Sequence, residues 1–97
     1  MIPISVLDTV PVSEGSTPRD AMLASAELAK AAEEAGYARF WIAEHHAMDG
    51  IGGAATAVVL AHIGHATATI RIGSGGIMLP NHNPFVIAEQ FGTLDAL

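Results

Sequence analysis

Three short, largely apolar runs at residues 2–7, 39–43 and 70–74 alternate with longer stretches in which apolar residues recur every three or four positions. The runs predict strands and the longer stretches predict helices. Thr17-Pro18-Arg19-Asp20 marks the first helix start, with a Thr N-cap, Pro at the first helical position and an Asp placed to cap in return. Ala21, Ala24, Leu28, Ala31, Ala32 and Ala35 then share one face, Glu27, Lys30 and Glu34 share another, and Gly36 supplies the stop. The charged face reads as solvated and carries no function.

Residues 39–43 are apolar after Arg39, which predicts a strand buried on both faces, as in a parallel sheet. Residues 54–66 form a second, almost wholly apolar helix. Asn83 caps a third with Pro84 at its first position, and Val86, Ile87, Phe91 and Leu94 carry it to the last residue without a stop signal. The order βαβαβα with short returns predicts a parallel α/β sheet with right-handed crossovers.

An open doubly wound sheet and an eight-stranded barrel both fit this order. The first βα turn lacks Gly-x-Gly-x-x-Gly, and polar groups stand at the C-terminal ends of all three strands: Asp8, then Glu44-His45-His46, then Ser74. That distribution favours a partial (β/α)8 TIM barrel, its first three βα units. Residues 1–97 are expected to be the N-terminal part of one such domain, cut within or at the end of the third helix. Three units cannot close a barrel, so an edge strand and apolar helix faces should be left uncovered.

Composition narrows the function. With 51% apolar and 14% charged residues the chain is globular. Ten carboxylates face only Arg19, Lys30, Arg39 and Arg71, a net charge of -6 without a basic stripe, which excludes nucleic acid and anionic membrane as partners. No cysteine is present, so disulfides and thiolate metal ligands are excluded. The N-terminus lacks a basic start and places Asp8 where a signal peptide needs apolar residues, and no run approaches the ~18 residues of a membrane span. A cytoplasmic location is expected.

The candidate chemistry begins where Phe40-Trp41-Ile42-Ala43 breaks into Glu44-His45-His46. Adjacent histidines on an extended chain point to opposite sides, so only one readily shares a centre with Glu44, and a two-His metal site is awkward. No metal is expected. His62 and His65 share a helical face that would lie outside a barrel; His82 sits in the third βα loop with Asn81 and Asn83, close to where a ligand would sit, although a loop histidine is more often a plain surface residue. Gly73-Ser74-Gly75-Gly76-Ile77 places three glycines at a strand exit, which suits close approach of a backbone or a flat ligand and lacks the Lys of a phosphate loop. A metal-dependent hydrolase using Glu44, His45 and His82 stays open here, although the first strand lacks the Asp/His pair that would support it.

Trp41-Ile42-Ala43-Glu44-His45-His46 and Gly73-Ser74-Gly75-Gly76-Ile77-Met78-Leu79-Pro80, followed by Ala88-Glu89-Gln90 and Leu94-Asp95, resemble the bacterial luciferase-like family of flavin-dependent monooxygenases. The resemblance covers the whole chain. It implies a barrel that binds reduced FMN (FMNH2) at its C-terminal face, where O2 forms a C4a-peroxyflavin that oxidises a small organic substrate such as an aldehyde, alkane or sulfonate. By this similarity His45 matches the family's functional histidine, transferring a proton or stabilising the oxygen adduct, with Glu44 and His46 in support and His46 close to the cofactor.

Gly75-Gly76 matches the pair whose peptide bond, often cis in this family, supports one face of the isoalloxazine ring. Ser74 and Met78 would line the ring pocket, and Asp8 would face the same cavity. The resemblance further implies a flavin reductase as partner and a homo-oligomer. Its members run to about three times this length, as a full barrel requires, with flavin-phosphate ligands mostly beyond the third helix. The chain alone is therefore expected to be inactive, and the alternative is a non-catalytic flavin-binding or structural half-barrel that self-associates.

Overall fold

A computed structural model describes residues 1–97. Each expected element forms: β1 (Ser5–Asp8), α1 (Pro18–Glu34), β2 (Arg39–Ile42), α2 (Thr56–Ala66), β3 (Arg71–Ser74) and α3 (Pro84–Ala96), with a 3-10 turn at Leu79–Asn81. The helix starts behave as their sequences predict. Thr17 Oγ1 accepts the Asp20 N–H at 3.1 Å while the Asp20 carboxylate accepts the Thr17 N–H at 3.1 Å. Asn83 Oδ1 accepts the Phe85 N–H at 2.9 Å.

The strands lie in the order β1-β2-β3, all parallel, with Val6, Phe40 and Ile72 in one row and Leu7, Trp41 and Gly73 in the next. Sequential order combined with right-handed crossovers places α1 and α2 on one face of the sheet, and α3 joins them there by packing on α2. There α1 packs on α2. Phe40, Ile42, Leu60, Ile63 and Val10 are fully buried between sheet and helices, joined by Ala21, Ala26, Ala29 and Ala32 of α1.

Two expectations are corrected. The buried stripe of α1 is Ala21, Ser25, Ala26, Ala29 and Ala32, while Ala24, Ala31 and Ala35 are exposed and Leu28 stands 46% exposed. Ser25 is drawn into the interior because its hydroxyl donates to the Asp8 carboxylate, which turns the helix away from a Leu28-centred face. Likewise β2 is buried on one face only. Phe40 and Ile42 are covered, whereas Trp41 is 38% and Leu7 beside it 56% exposed, because nothing in residues 1–97 lies over that side of the sheet. No helix is long and apolar enough to cross a membrane.

Glu33 draws no notice as sequence, yet it holds the fold's second return. Its carboxylate accepts the N–H groups of Ala68, Thr69 and Ile70 at 3.0, 2.6 and 2.7 Å, pinning the α2–β3 turn to the last turn of α1. The Ile70 and Thr69 N–H groups favour the charged form most and bring its pKa from 4.5 to about 2. A lowered folded pKa gives stability that is full above about pH 4.5 and lost as pH falls toward 2. Glu33→Gln should therefore lower stability at neutral pH and flatten its decline over that acid window, as read by denaturant melts at stepped pH. Parallel acid slopes for the two proteins would exclude this role.

Candidate active site

The loops after the three strands are held to one another by main-chain bonds. Past the end of β2, Ala43 N–H still donates to Asp8 O at 3.1 Å, and on the other edge Gly75 N–H donates to Ile42 O at 2.9 Å. The first two loops then run as a short ribbon, with Gly52 N–H on Val10 O and Val12 N–H on Gly50 O, each at 2.8 Å. His45 N–H donates to Gly53 O at 3.1 Å, so the histidine's backbone is fixed by that ribbon. A side chain at position 53 would press on Ala43 O, 3.1 Å from its Cβ, so glycine lets the strands' ends come this close without displacement.

Glu44 lies at the centre. Its side chain is 2% exposed, and its Oε2 lies 2.7 Å from His46 Nε2 while both oxygens lie 3.1 Å from His82 Nε2. Burial pushes its carboxyl pKa up, but the hydrogen bonds from His46 and His82 outweigh it and hold the group below the usual value. Glu44 is thus a buried carboxylate that accepts from two imidazoles. His46 is two positions along an extended segment and faces the same side, as the two-residue period requires. His45, between them, makes no hydrogen bond to Glu44, and its Nδ1 is buried without a partner.

The geometry sorts the sequence-predicted residues. Glu44 and His46 come together, His45 stands apart, and His82 joins Glu44 from the loop after β3. Nothing in the one-dimensional pattern signals that contact across 38 positions. His45 makes no bond to Glu44, and no group of three His, Cys, Asp or Glu is disposed to hold a metal ion. His62 lies elsewhere, on an apolar cleft of ≈ 510 Å³ between α1 and α2 with Met22, Leu23 and Val58.

Asp8 needs correction. Its carboxylate points to the helix side of the sheet, accepting the Val10 N–H at 2.9 Å and the Ser25 hydroxyl, so it does not face the side on which Leu7 and Trp41 lie. What it supports is local strain, for Val10 is a fully buried β-branched residue at φ 55°. The Gly75–Gly76 turn also departs from expectation. Every peptide bond is trans. The chain turns instead through Gly76 at φ 139°, whose N–H donates to Ser74 Oγ at 2.9 Å. A Cβ at position 75 would collide with Leu7 Cδ1, whereas position 76 opens on empty space and Met78 is half exposed beyond it.

Residues 3–97 match the family model described as luciferase-like monooxygenase. The chain belongs to the luciferase-like monooxygenase family. It is 54% identical over 96 residues to a luciferase-like monooxygenase of Escherichia coli K12, covering 99% of this chain and 29% of that protein. It is 45% identical over 97 residues to the N-acetyl-S-alkylcysteine monooxygenase of Bacillus subtilis, covering 100% and 29%. The crystal structure of apo-MsnO8 superposes with a TM-score of 0.95 at 43% identity, covering 99% of this chain and 29% of that one. The oxygenating constituent of 3,6-diketocamphane monooxygenase from Pseudomonas putida, a type II Baeyer–Villiger monooxygenase in complex with FMN, shares the fold, with a TM-score of 0.87 at 18% identity over 97% and 26%. The chain thus spans a little under a third of its family relatives' length.

The corrected role of Asp8 has a direct test. Asp8→Ala leaves the Val10 N–H and the Ser25 hydroxyl buried without an acceptor, at about 1–3 kcal/mol each, so denaturant melts should show a loss of roughly 2–6 kcal/mol, and Asp8→Asn, which keeps one acceptor oxygen, should lose less. An Asp8→Ala protein as stable as the parent would refute the structural role.

Proposed function

We propose that these residues form the first three βα units of an eight-stranded barrel and one corner of a reduced-FMN site, in a luciferase-like monooxygenase that uses O2 to oxidise a small organic substrate. The observation that carries this reading is the orphaned, buried Nδ1 of His45 at the C-terminal end of the central strand. On the adjoining strand end, Gly76 presents bare backbone with open space over it, which a flat ring can approach, next to Gly75 against Leu7. These features fit a flavin, and the family match and the FMN complex of a protein of the same fold support it.

Reduced FMN, when bound, supplies the electrons with which O2 delivers one oxygen atom to substrate and the other to water. The chain's own part is to seat the ring and manage protons. Gly75, Gly76, Ser74 and Met78 are the seat. His45 holds or gives a proton at Nδ1, the atom for which the surrounding protein provides no partner. Glu44, fixed as a carboxylate, supports the corner through His46, which is 40% exposed and stands at its solvent side. Flavin-phosphate contacts belong to residues outside 1–97, and a flavin reductase in the cytoplasm, with assembly as a homo-oligomer, completes the proposal.

The alternative of a non-catalytic half-barrel that self-associates draws on the exposure of Leu7, Trp41, Val58 and Phe85. Sedimentation of residues 1–97 with and without FMN separates the two. Flavin-independent assembly without FMN uptake favours the half-barrel. Residues 1–97 alone should turn over no substrate with reduced FMN and O2, since the phosphate site and five strands lie outside them.

In the whole protein His45→Ala should lower the rate of oxygenation by about 10²–10⁴-fold, as loss of a general acid-base group does, and leave reduced-FMN affinity within about threefold. Single-turnover oxygenation alongside anaerobic FMN titration reads both. Equal losses in the two measurements would contradict a proton-handling role.

A further inference from the structure

The loop from Gly75 to Asn83 carries the proposed flavin seat, and its tethers are few. Gly75 N–H on Ile42 O anchors its start. Beyond it the loop's main-chain bonds are local, Leu79 N–H on Ile77 O, Asn81 N–H on Met78 O and His82 N–H on Leu79 O, and Gly76 N–H returns to Ser74 Oγ. The hydrogen bond that ties residues 76–82 to the rest of the molecule runs from His82 Nε2 to the Glu44 carboxylate.

A carboxylate can only accept, so both imidazole nitrogens that approach Glu44 must carry hydrogen. His82 reaches both oxygens at 3.1 Å and His46 takes Oε2 at 2.7 Å, which fills the inward side of a group that is 2% exposed. In a neutral ring, hydrogen on Nε2 leaves Nδ1 as the free acceptor. One buried anion therefore sets the tautomer of two histidines and joins two loops.

We propose that His82 is a positioning residue: through Glu44 it locks the loop after β3, with its Gly75–Met78 seat, to the loop after β2, and the same carboxylate holds His46 and His82 as the Nε2–H forms. The part concerning the seat rests on the flavin reading above; the clamp and the tautomers do not. His82 touches no reacting atom in this scheme. Its 31% exposure at the loop's outer side suits a latch between two segments that otherwise share no side-chain bond.

Imidazole ¹⁵N shifts of the whole protein without flavin should show both His46 and His82 as Nε2–H tautomers, with the pattern lost in Glu44→Gln. Anaerobic titration with reduced FMN should show affinity about tenfold weaker or more in His82→Ala, the loss expected of one charge-assisted hydrogen bond, with a much smaller change in the oxygenation rate of the saturated enzyme. His82→Gln, whose side-chain amide can donate to the same oxygens, should recover affinity to within about threefold. Nδ1–H tautomers in the parent, or affinity in His82→Ala equal to the parent's, would overturn the proposal. Should His82→Ala fail to fold, a His82→Gln protein that folds but binds FMN at least tenfold more weakly overturns it instead. A parent that shows the Nε2–H tautomers but binds no reduced FMN overturns the flavin seat and leaves the clamp standing.

Discussion

Everything at the C-terminal end of this sheet inherits its place from β2, which is hydrogen-bonded on both edges and covered by helices on one face. A central parallel strand has little freedom to slide, because a one-residue shift would exchange Phe40 and Ile42 for Arg39 and Trp41 on the buried side. The bonds of Ala43 to Asp8 and of Gly75 to Ile42 carry that register past the strand ends. Glu44 consequently arrives at one place between two loops. Its carboxylate then does for the loops what the ladder does for the strands.

The three histidines divide by what they touch. His46 and His82 both bond Glu44; His45 does not and is left with an unpaired buried nitrogen. A buried polar atom without a partner costs free energy in a folded protein. The open space at Gly76 and the exposed row of Leu7 and Trp41 leave this end and face of the sheet uncovered, in contrast to the helix side.

Some side chains that look chemical are structural. Asp8 relieves a strained, buried Val10 and holds Ser25 of α1, which is why that helix presents Ala29 and not Leu28 to the core. Glu33 caps three N–H groups at a turn. Both are acids whose neighbours in space, unlike their neighbours in sequence, define their task.

The sequence by itself determined the element order, the capped helix starts at Thr17 and Asn83, the parallel sheet and, through Glu44-His45-His46 with Gly73–Pro80, the family. These are local or periodic properties, set by how each residue treats its own backbone and by which faces are apolar. It also separated His45 from its neighbour, since alternation along a strand is a local rule. It could not show that His82 meets Glu44, that Asp8 turns toward Ser25, that β2 is bare on one side or that the Gly75–Gly76 turn is made with a trans bond. Those depend on distances between segments tens of residues apart, and only the packed sheet and its helices fix them.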